Sequence, residues 1–265
     1  MATLQCLGHR FENIQAILFD KDGTLADVES YLLALGRSRS QFIHTQVPDL
    51  KQPILSTFGL QDDSIDPAGL MAIGSRTENK IAAAAHVAAA GYGWIAALNL
   101  VESAFQRAEA SLPAKVTQTP LIEGAAPLLR RLRSAQLKLG IVSADAQLEV
   151  KNFVDHHQLT DIGWYCGAAP ETLPKTHPEF LKLACQSMGV HSSSVVIIGD
   201  SAADLQLAQQ GAAGFLGMTG GWRHPPIIET ATEAATRLAG NLAKGLIENL
   251  AVVSFEHFGQ IEVFN

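Results

Sequence analysis

Residues 14–27, IQAILFDKDGTLAD, decide the fold. An apolar run over 14–19 stops at Asp20 and is followed by Asp22 and a glycine, which is typical of a buried strand that ends in a turn. For D-x-D alone, an acidic surface turn with Thr24 as a helix cap would be the simpler interpretation. The complete pattern D-x-D-G-T after an apolar strand would arise by chance at on the order of one in a hundred thousand positions. It therefore favours a functional site.

Comparable apolar runs recur along the chain and end in polar residues or glycine. The strongest lie at 138–142, 194–198, 214–218 and 251–255, and a weaker one lies at 163–166. Helical patterns separate them at 125–136, 178–189 and 204–210. Runs that are apolar on both faces and alternate with helices predict an α/β fold with a doubly wound, Rossmann-like parallel sheet. Such a sheet binds ligands at the carboxyl ends of its strands.

The first crossover is too long for a single helix. From Asp20 to Ser143, at the end of the next strong strand, the chain is about four times as long as the roughly 30 residues of a βαβ unit. The surplus predicts a helical cap domain at 27–118. This domain would be inserted into an α/β core domain formed by 1–26 and 119–265.

Local patterns within the insert support helices. Apolar residues follow one stripe at helical spacing between positions 28 and 43. Ser75 and Glu78 match a capping box in front of an alanine-rich segment. The Pro- and Asp-rich stretches 48–53 and 61–68 predict loops.

The alanine-rich segment raises the alternative of a membrane span. Residues 81–101 carry no formal charge and are long enough to cross a bilayer. Six strong hydrophobes would contribute only about −2 to −4 kcal/mol on an insertion scale, and His86, Asn99 and the Gly91–Gly93 break oppose them. We expect a helical hairpin here and no contact with a membrane.

Composition narrows the function classes. The chain has 26 acidic and 19 basic residues, a formal net charge of −7, so an electrostatic nucleic-acid binder is disfavoured. The three cysteines, Cys6, Cys166 and Cys185, form no CxxC pattern and are typical of buried thiols in a reducing compartment. Without a recognisable secretory signal at the start, the expected location is cytoplasmic.

A second acidic motif follows the strand predicted at 194–198. The sequence Gly199–Asp204, GDSAAD, places Asp200 and Asp204 at the start of the next helix. Two acids beside a helix N-terminus either cap the helix or bind a hard cation. Because Asp20 and Asp22 end another strand of the same predicted sheet, we favour convergence of the four carboxylates on Mg²⁺.

Two single residues complete the pattern. Ser143 ends the strand predicted at 138–142, and Lys175 precedes a helix. Taken alone, each is more typical of a helix cap or of a solvated surface side chain. Their positions at the carboxyl side of predicted strands favour binding to an anion in the same site.

Together these elements resemble the haloacid dehalogenase superfamily. The resemblance is strongest to its phosphatases with a helical cap inserted after the first motif, such as phosphoglycolate phosphatase. The matching elements are DKDGTLAD at 20–27, Ser143, Lys175 and GDSAADLQLAQQGAAG at 199–214. Thr176 stands where the family usually has proline, and Ala144 stands where a polar residue is common.

The resemblance implies a role for each site residue. Asp20 would attack phosphorus, and Asp22 would protonate the leaving group and then activate water. The implied Mg²⁺ ligands are Asp20, Asp22 through its backbone carbonyl, Asp200 and Asp204. The implied substrate-binding residues are Gly23, Thr24, Ser143, Ala144 and Lys175, with Arg76 of the cap facing a substrate carboxylate. Arg39 is expected to be solvated, and Trp222 to border the substrate.

The implied activity is Mg²⁺-dependent hydrolysis of a small phosphorylated metabolite through an aspartyl-phosphate. Two alternatives stay open. One is a sugar-phosphate mutase of the same superfamily, although the usual His/Lys pairing just after the first motif is missing from ADVESYLLALGRSR at 26–39. The other is a catalytically idle phosphate-binding sensor, which the retention of every charged motif residue disfavours.

Overall fold

The computed structural model describes residues 1–224 and 250–264. The part of the predicted core domain that falls on 225–249 and 265 lies outside the described residues. The strands are β1 (Ala2–Cys6), β2 (His9–Ile14), β3 (Ala16–Phe19), β4 (Leu60–Gln61), β5 (Ser64–Ile65), β6 (Lys138–Ala146), β7 (Ile162–Ala168), β8 (Val195–Gly199), β9 (Gly214–Met218), β10 (Ala251–Phe255) and β11 (Ile261–Phe264). The helices are α1 (Glu29–His44), α2 (Lys51–Phe58), α3 (Leu70–Ile73), α4 (Arg76–Ala89), α5 (Trp94–Ala110), α6 (Lys115–Gln118), α7 (Ala125–Ser134), α8 (Gln147–His156), α9 (Phe180–Met188) and α10 (Ala202–Ala208).

Six parallel strands form the main sheet, in the order β10-β9-β8-β3-β6-β7. β3 lies between β8 and β6, and Phe19 at its end is in register with Ile198 and Ile141. The predicted doubly wound parallel sheet is confirmed. This register brings the residues after β3, β6 and β8 to one edge of the sheet, which is where the chemistry-bearing side chains follow.

Both faces of the main sheet are covered, as its continuous apolar strands predict. On one face, Ile17, Phe19 and Ile141 pack with apolar residues of α7 and α8. On the other face, Leu18 and Ile197 pack with apolar residues of α9 and α10. A strand such as β3, buried at every position, therefore has no polar alternation along its length.

A second, antiparallel sheet was not predicted from the sequence. β1 pairs with β2 on one side and with β11 on the other. The β1–β2 hairpin turns at Leu7 and Gly8, both with positive φ, which suits a tight two-residue turn. Leu4, Phe11 and Ile261 of this sheet join the core cluster on the α7–α8 face of the main sheet.

The helices of the insert, α1 to α5, share an apolar core of their own. Phe58 and Phe105 meet edge to face at its centre, with ring centroids 6.3 Å apart. The predicted capping box at Ser75 and Glu78 is present at the start of α4. We propose 27–118 as the cap domain because these helices lie between β3 and β6 and bury their apolar faces mainly against one another.

The alanine-rich segment forms the helical hairpin that its sequence predicts. α4 and α5 pack against each other across a break at residues 90–93. Within residues 1–224 and 250–264, no helix has the length and apolar character that a bilayer crossing requires.

The two predicted loops of the insert are only partly correct. The structure begins α2 at Lys51, so residues 51–53 of the expected loop at 48–53 form its first turn. Proline is tolerated in the first turn of a helix, and Pro53 therefore does not prevent it. The stretch 61–68 contains the small β4–β5 hairpin.

Candidate active site

Three carboxylates gather at the carboxyl edge of the main sheet. Asp20 directly follows β3, Asp200 directly follows β8, and Asp204 lies in the first turn of α10. One carboxylate oxygen from each lies within 4.8 Å of those of the other two, and all three side chains are buried. Of the four carboxylates expected to converge, the structure brings these three together, and the Asp22 carboxylate is not part of the group.

Lys175 bridges two of these carboxylates from the loop after β7. Its Nζ donates to Asp20 Oδ1 and to Asp204 Oδ1, both at 2.8 Å. Burial alone would lower the pKa of Lys175, but the charges of Asp20 and Asp204 outweigh it and raise the pKa above its ordinary value. Among the described residues, this ammonium is the cation in contact with the three-carboxylate cluster.

The cluster carries more negative charge than Lys175 can balance. Burial, reinforced by the charges of Asp204 and Asp200, raises the pKa of Asp20 well above its usual value. Burial and the charge of Asp204 raise the pKa of Asp200 to about 7. Buried oxygen ligands with surplus negative charge are what a hard divalent cation such as Mg²⁺ requires. The donor set therefore fits the metal that the sequence implies.

Two donors fix the carboxylate of Asp200. Thr24 Oγ1 donates to Oδ1 at 2.8 Å, and Trp222 Nε1 donates to Oδ2 at 2.7 Å. Thr24 is fully buried, so the structure gives its hydroxyl a partner other than the predicted substrate. Trp222, which was expected to border the substrate, also contacts Asp200.

Gly23 makes this arrangement sterically possible. Its φ is +77°, and a Cβ at this position would lie 2.4 Å from Trp222 Nε1 and 2.6 Å from Asp200 Oδ2. A side chain here would therefore displace the indole or the carboxylate. The contacts of Gly23, like those of Thr24, serve the geometry of Asp200.

Asp204 caps α10 and also takes part in the carboxylate cluster. Its Oδ2 accepts from the backbone amide of Ser201 at 3.1 Å and from the Ser201 hydroxyl at 2.6 Å, which completes a capping box at α10. Its Oδ1 accepts from Lys175 in the carboxylate cluster. The helix cap thus holds the side chain with one oxygen directed to the site.

Asp22 belongs to a separate network of opposite charges. Its two carboxylate oxygens contact the ammonium groups of Lys21 and Lys115, the latter at 2.6 Å. Asp145 accepts from the same two lysines, at 2.9 Å from Lys21 and 2.6 Å from Lys115. Burial alone would raise the pKa of Asp145, but the charges of Lys115 and Lys21 hold it well below its usual value.

A cavity of about 360 Å³ lies between this edge of the sheet and the helical insert. The core residues that line it are Asp20, Asp22, Ser143, Ala144, Asp145, Ala146, Glu149, Lys175, Asp200 and Ser201. Ser143 Oγ accepts from the Asp145 amide at 3.1 Å and is nearly buried. A ligand in this cavity would contact both carboxyl-bearing loops and the cap.

The wall formed by the cap is charged but internally paired. Arg76 makes a bidentate pair with Glu102, at 2.9 and 3.1 Å, and its Nε donates to Glu109 at 2.8 Å. Arg39 also donates to Glu109, at 2.9 Å, and lies over the ring of Phe105. The prediction that Arg39 is solvated is wrong: the residue is 4% exposed, because the Phe105 ring and a carboxylate distant in sequence cover it.

Comparison with known proteins gives the family. A family model described as a haloacid dehalogenase-like hydrolase matches residues 14–211, a range that includes Asp20, Asp22, Ser143, Lys175, Asp200 and Asp204. The chain belongs to the haloacid dehalogenase-like hydrolases. No curated protein sequence matches it significantly.

Solved structures with the fold of this hydrolase match most of its length. One from Bacteroides fragilis, assigned as a haloacid dehalogenase-like hydrolase, has a TM-score of 0.60 and 20% identity over 93% of this chain and 99% of its own. A predicted phosphoglycolate phosphatase from Haemophilus somnus has a TM-score of 0.54 and 17% identity over 80% and 89%. One from Thermotoga maritima, assigned as a beta-phosphoglucomutase, has a TM-score of 0.53 and 16% identity over 91% and 94%. At these identities the likeness establishes a shared fold.

Sequence reasoning missed three charged residues of this hydrolase's site. Lys21, Lys115 and Asp145 surround Asp22, but no spacing rule connects a lysine of the insert with an acid near the end of β6. Lys21 and Asp145 do lie beside quoted motif residues. Lys21 directly follows Asp20, and Asp145 lies two residues after Ser143, so both charges are visible in the sequence.

Proposed function

We propose that the chain is a Mg²⁺-dependent phosphomonoester hydrolase that acts on a small phosphorylated metabolite through an aspartyl-phosphate. The observation that carries this proposal is the buried cluster of Asp20, Asp200 and Asp204, bridged by Lys175 and open to a cavity under the cap. A cluster with surplus negative charge in a buried site is costly unless a cation completes it. Such a cation would also allow an anionic substrate to approach.

Asp20 is the proposed nucleophile. A carboxylate about 4 Å from a phosphate dianion meets roughly 4 kcal/mol of repulsion per charge pair at an effective dielectric near 20. The Lys175 ammonium, 2.8 Å from Asp20 Oδ1, offsets part of that repulsion and can bind the transferring phosphoryl group. The bond from Asp20 to phosphorus forms as the bond to the leaving oxygen breaks, and water then hydrolyses the aspartyl-phosphate.

Asp22 is the proposed general acid and base. Its side chain lines the cavity, two residues beyond the proposed nucleophile. It would pass a proton to the leaving oxygen in the first step and take one from the attacking water in the second. The carboxylate thus returns to its starting protonation state after each turnover.

The remaining site residues are proposed to bind the phosphate, to bind the metal or to orient a metal ligand. We propose that Ser143 and the Ala144 amide bind phosphoryl oxygens, since both residues line the cavity. Thr24 and Gly23 would act indirectly, because their contacts orient the carboxylate of Asp200. Asp20, Asp200, Asp204 and the backbone carbonyl of Asp22 would hold Mg²⁺. When bound, this ion neutralises charge on the transferring phosphoryl group.

The proposed substrate is small because the cavity is closed on one side by the cap. A contact of Arg76 with a substrate carboxylate has the least support of the proposed contacts, since its guanidinium already pairs with Glu102 and Glu109. Two structural relatives are named for phosphoglycolate and for beta-phosphoglucose chemistry. We therefore propose phosphorylated small acids and sugars as the compounds to examine first.

The test is release of inorganic phosphate from p-nitrophenyl phosphate in the presence of Mg²⁺, followed by a panel of phosphorylated metabolites. Asp20→Asn serves as the inactive control. A sugar-phosphate mutase, the alternative suggested by one structural relative, would convert one sugar phosphate to another with little free phosphate. An idle sensor would bind phosphate compounds and turn over none.

The cytoplasmic location is also kept as a proposal. Its support is the chemistry of the three cysteines, Cys6, Cys166 and Cys185, which are all free. Burial raises the pKa of each thiol above its ordinary value, that of Cys6 to about 11. A raised thiol pKa disfavours the reactive thiolate, which is consistent with cysteines that stay reduced.

A further inference from the structure

The network around Asp22 contains a residue that the proposed mechanism does not yet use. Lys115 lies on α6, in the segment that leads from the last helix of the insert back to the core. Its Nζ is 2.6 Å from Asp22 Oδ2 and 2.6 Å from Asp145 Oδ2. Its side chain is 11% exposed and lines the cavity. It therefore reaches the proposed general acid from the cavity side.

The backbone that carries Lys115 is anchored to the core. The Thr119 hydroxyl donates to the Lys115 carbonyl at 3.1 Å, and Nε2 of His157, directly after α8, lies 3.0 Å from the Thr119 carbonyl oxygen. A lysine on a free surface loop would spend rotamer entropy to hold one position. Here the anchored turn and the second carboxylate, Asp145, fix the ammonium before any substrate arrives.

The two lysines hold Asp22 from different sides. Lys21 contacts Oδ1, is 1% exposed and packs over the ring of Phe153 in the core. Lys115 contacts Oδ2. Each carboxylate oxygen has two lone-pair sites, so Oδ2 can accept from Lys115 and still present a position to a leaving group. With both oxygens held, rotation of the carboxylate about its Cβ–Cγ bond is restrained.

We infer that Lys115 is a positioning residue that fixes the Asp22 carboxylate against the leaving-group oxygen. The inference rests on the proposed function. A general acid must lie within hydrogen-bond reach of the oxygen that it protonates, and small errors in orientation are costly to the rate. Lys115 itself transfers no proton in this scheme. Lys115 fixes the position from which Asp22 delivers its proton.

A pair of aryl phosphates tests this role. p-Nitrophenolate leaves readily without protonation, whereas phenolate from phenyl phosphate needs more help from an acid, and the two substrates have nearly the same shape. The quantity to measure is kcat/KM, which reports loss of the leaving group and excludes the later hydrolysis of the aspartyl-phosphate. For Lys115→Met, we expect kcat/KM to fall at least about tenfold more for phenyl phosphate than for p-nitrophenyl phosphate.

The ratio between the two substrates does not depend on how much of the variant is folded. Lys115→Arg, which keeps a cation near Asp22, should restore part of the ratio. Lys151→Met is the matched control, because Lys151 also pairs with an aspartate but is exposed and outside the site. Adding Lys115→Met to Asp22→Asn should change the ratio little further, since the group to be positioned is gone.

Any of the following results would overturn the inference. Equal losses on both substrates would mean that Lys115 binds the phosphoryl group or supports the fold, and unchanged values would mean that Asp22 needs no such support. A further selective loss in the Asp22→Asn background would show that Lys115 acts independently of Asp22. A wild-type protein that releases phosphate from neither compound would instead refute the proposed function, a result separate from any change in the ratio.

Discussion

Two of the charge clusters in the described part of the chain, one at the edge of the main sheet and one in the cap, differ in the balance of their charges. At the edge of the sheet, Asp20, Asp200 and Asp204 share the ammonium of Lys175, and negative charge is in excess. In the cap, the carboxylates are fully paired, with two arginines and a lysine around Glu102 and Glu109. A paired cluster stabilises its own domain. The sheet-edge cluster has one ammonium for three buried carboxylates, and the proposed metal ion would balance the remaining negative charge.

Replacing a carboxylate by its amide should have opposite effects on stability in the two clusters. Asp20→Asn should have the largest effect on activity. We expect phosphatase activity to fall by at least about 10⁴-fold, because the proposed nucleophile is lost. The midpoint of thermal unfolding without metal should stay the same or rise, since one of three repelling buried carboxylates becomes neutral. Asp155→Asn, on an exposed ion pair, is the matched control. Activity retained by Asp20→Asn would contradict the proposed mechanism.

Removing the metal tests the same excess of negative charge at the edge of the sheet without a mutation. EDTA should abolish activity, and added Mg²⁺ should restore it. Independently of activity, Mg²⁺ at 100 times its Kd should raise the free energy of unfolding by about 2.7 kcal/mol. Asp200→Asn should remove most of this stabilisation. NaCl at equal ionic strength controls for screening, and the same stabilisation with NaCl would argue against a specific cation site.

Lys175→Ala removes the cation that now contacts the sheet-edge cluster. We expect kcat/KM to fall by roughly 10²- to 10³-fold, because preorganised positive charge at the phosphoryl group is lost. Stability should also fall, since two buried carboxylates lose their partner. Lys182→Ala, on an exposed pair with Glu179, should leave both quantities unchanged. A loss of activity below tenfold would indicate that the loop containing Thr176 arranges the phosphate site differently.

Glu102→Gln probes the balanced cluster and should have the smallest effect. Hydrogen bonds from Arg76 and Lys80 lower the pKa of Glu102 from 4.5 to about 2, so this group stabilises the fold above its unfolded pKa. That stability is lost as the pH falls from about 4.5 towards 2. After allowance for solvent screening, we expect the variant to be roughly 1 kcal/mol less stable at pH 7.

The measurement is the difference in unfolding midpoint between wild type and Glu102→Gln across this pH range. The difference should shrink as the pH is lowered below 4.5. Glu179→Gln, on an exposed surface pair, should give no comparable difference at any pH. A constant difference for Glu102→Gln would mean that the side chain contributes by packing and not by its charge.

The sequence predicts one of these clusters much better than the other, for a physical reason. In a parallel sheet the residue after each buried strand reaches a common edge, so Asp20 and Asp200 could be placed together from their strands alone. Lys175 followed from its position after β7. Pairing within the cap depends on how helices pack. For this reason Arg39, which meets a carboxylate 70 residues away, was misjudged as solvated.

The antiparallel sheet of β1, β2 and β11 shows a different limit. Its strands are four to six residues long, and β11 pairs with a strand from the opposite end of the described chain. Short strands with a distant partner carry little local signal. Contacts between side chains that are distant in sequence show the same limit. Thr24 has a hydroxyl beside the motif, but only the structure reveals that it donates to Asp200.

The hydrogen bond from Trp222 to Asp200 has a practical consequence. It places an indole fluorophore 2.7 Å from one proposed ligand, while the ring also packs with the apolar core of the cap. Emission from an indole responds to nearby charge and to exposure. In a variant in which Trp94 and Trp164 are replaced by phenylalanine, emission from Trp222 should therefore report both the arrival of an ion and any displacement of the cap.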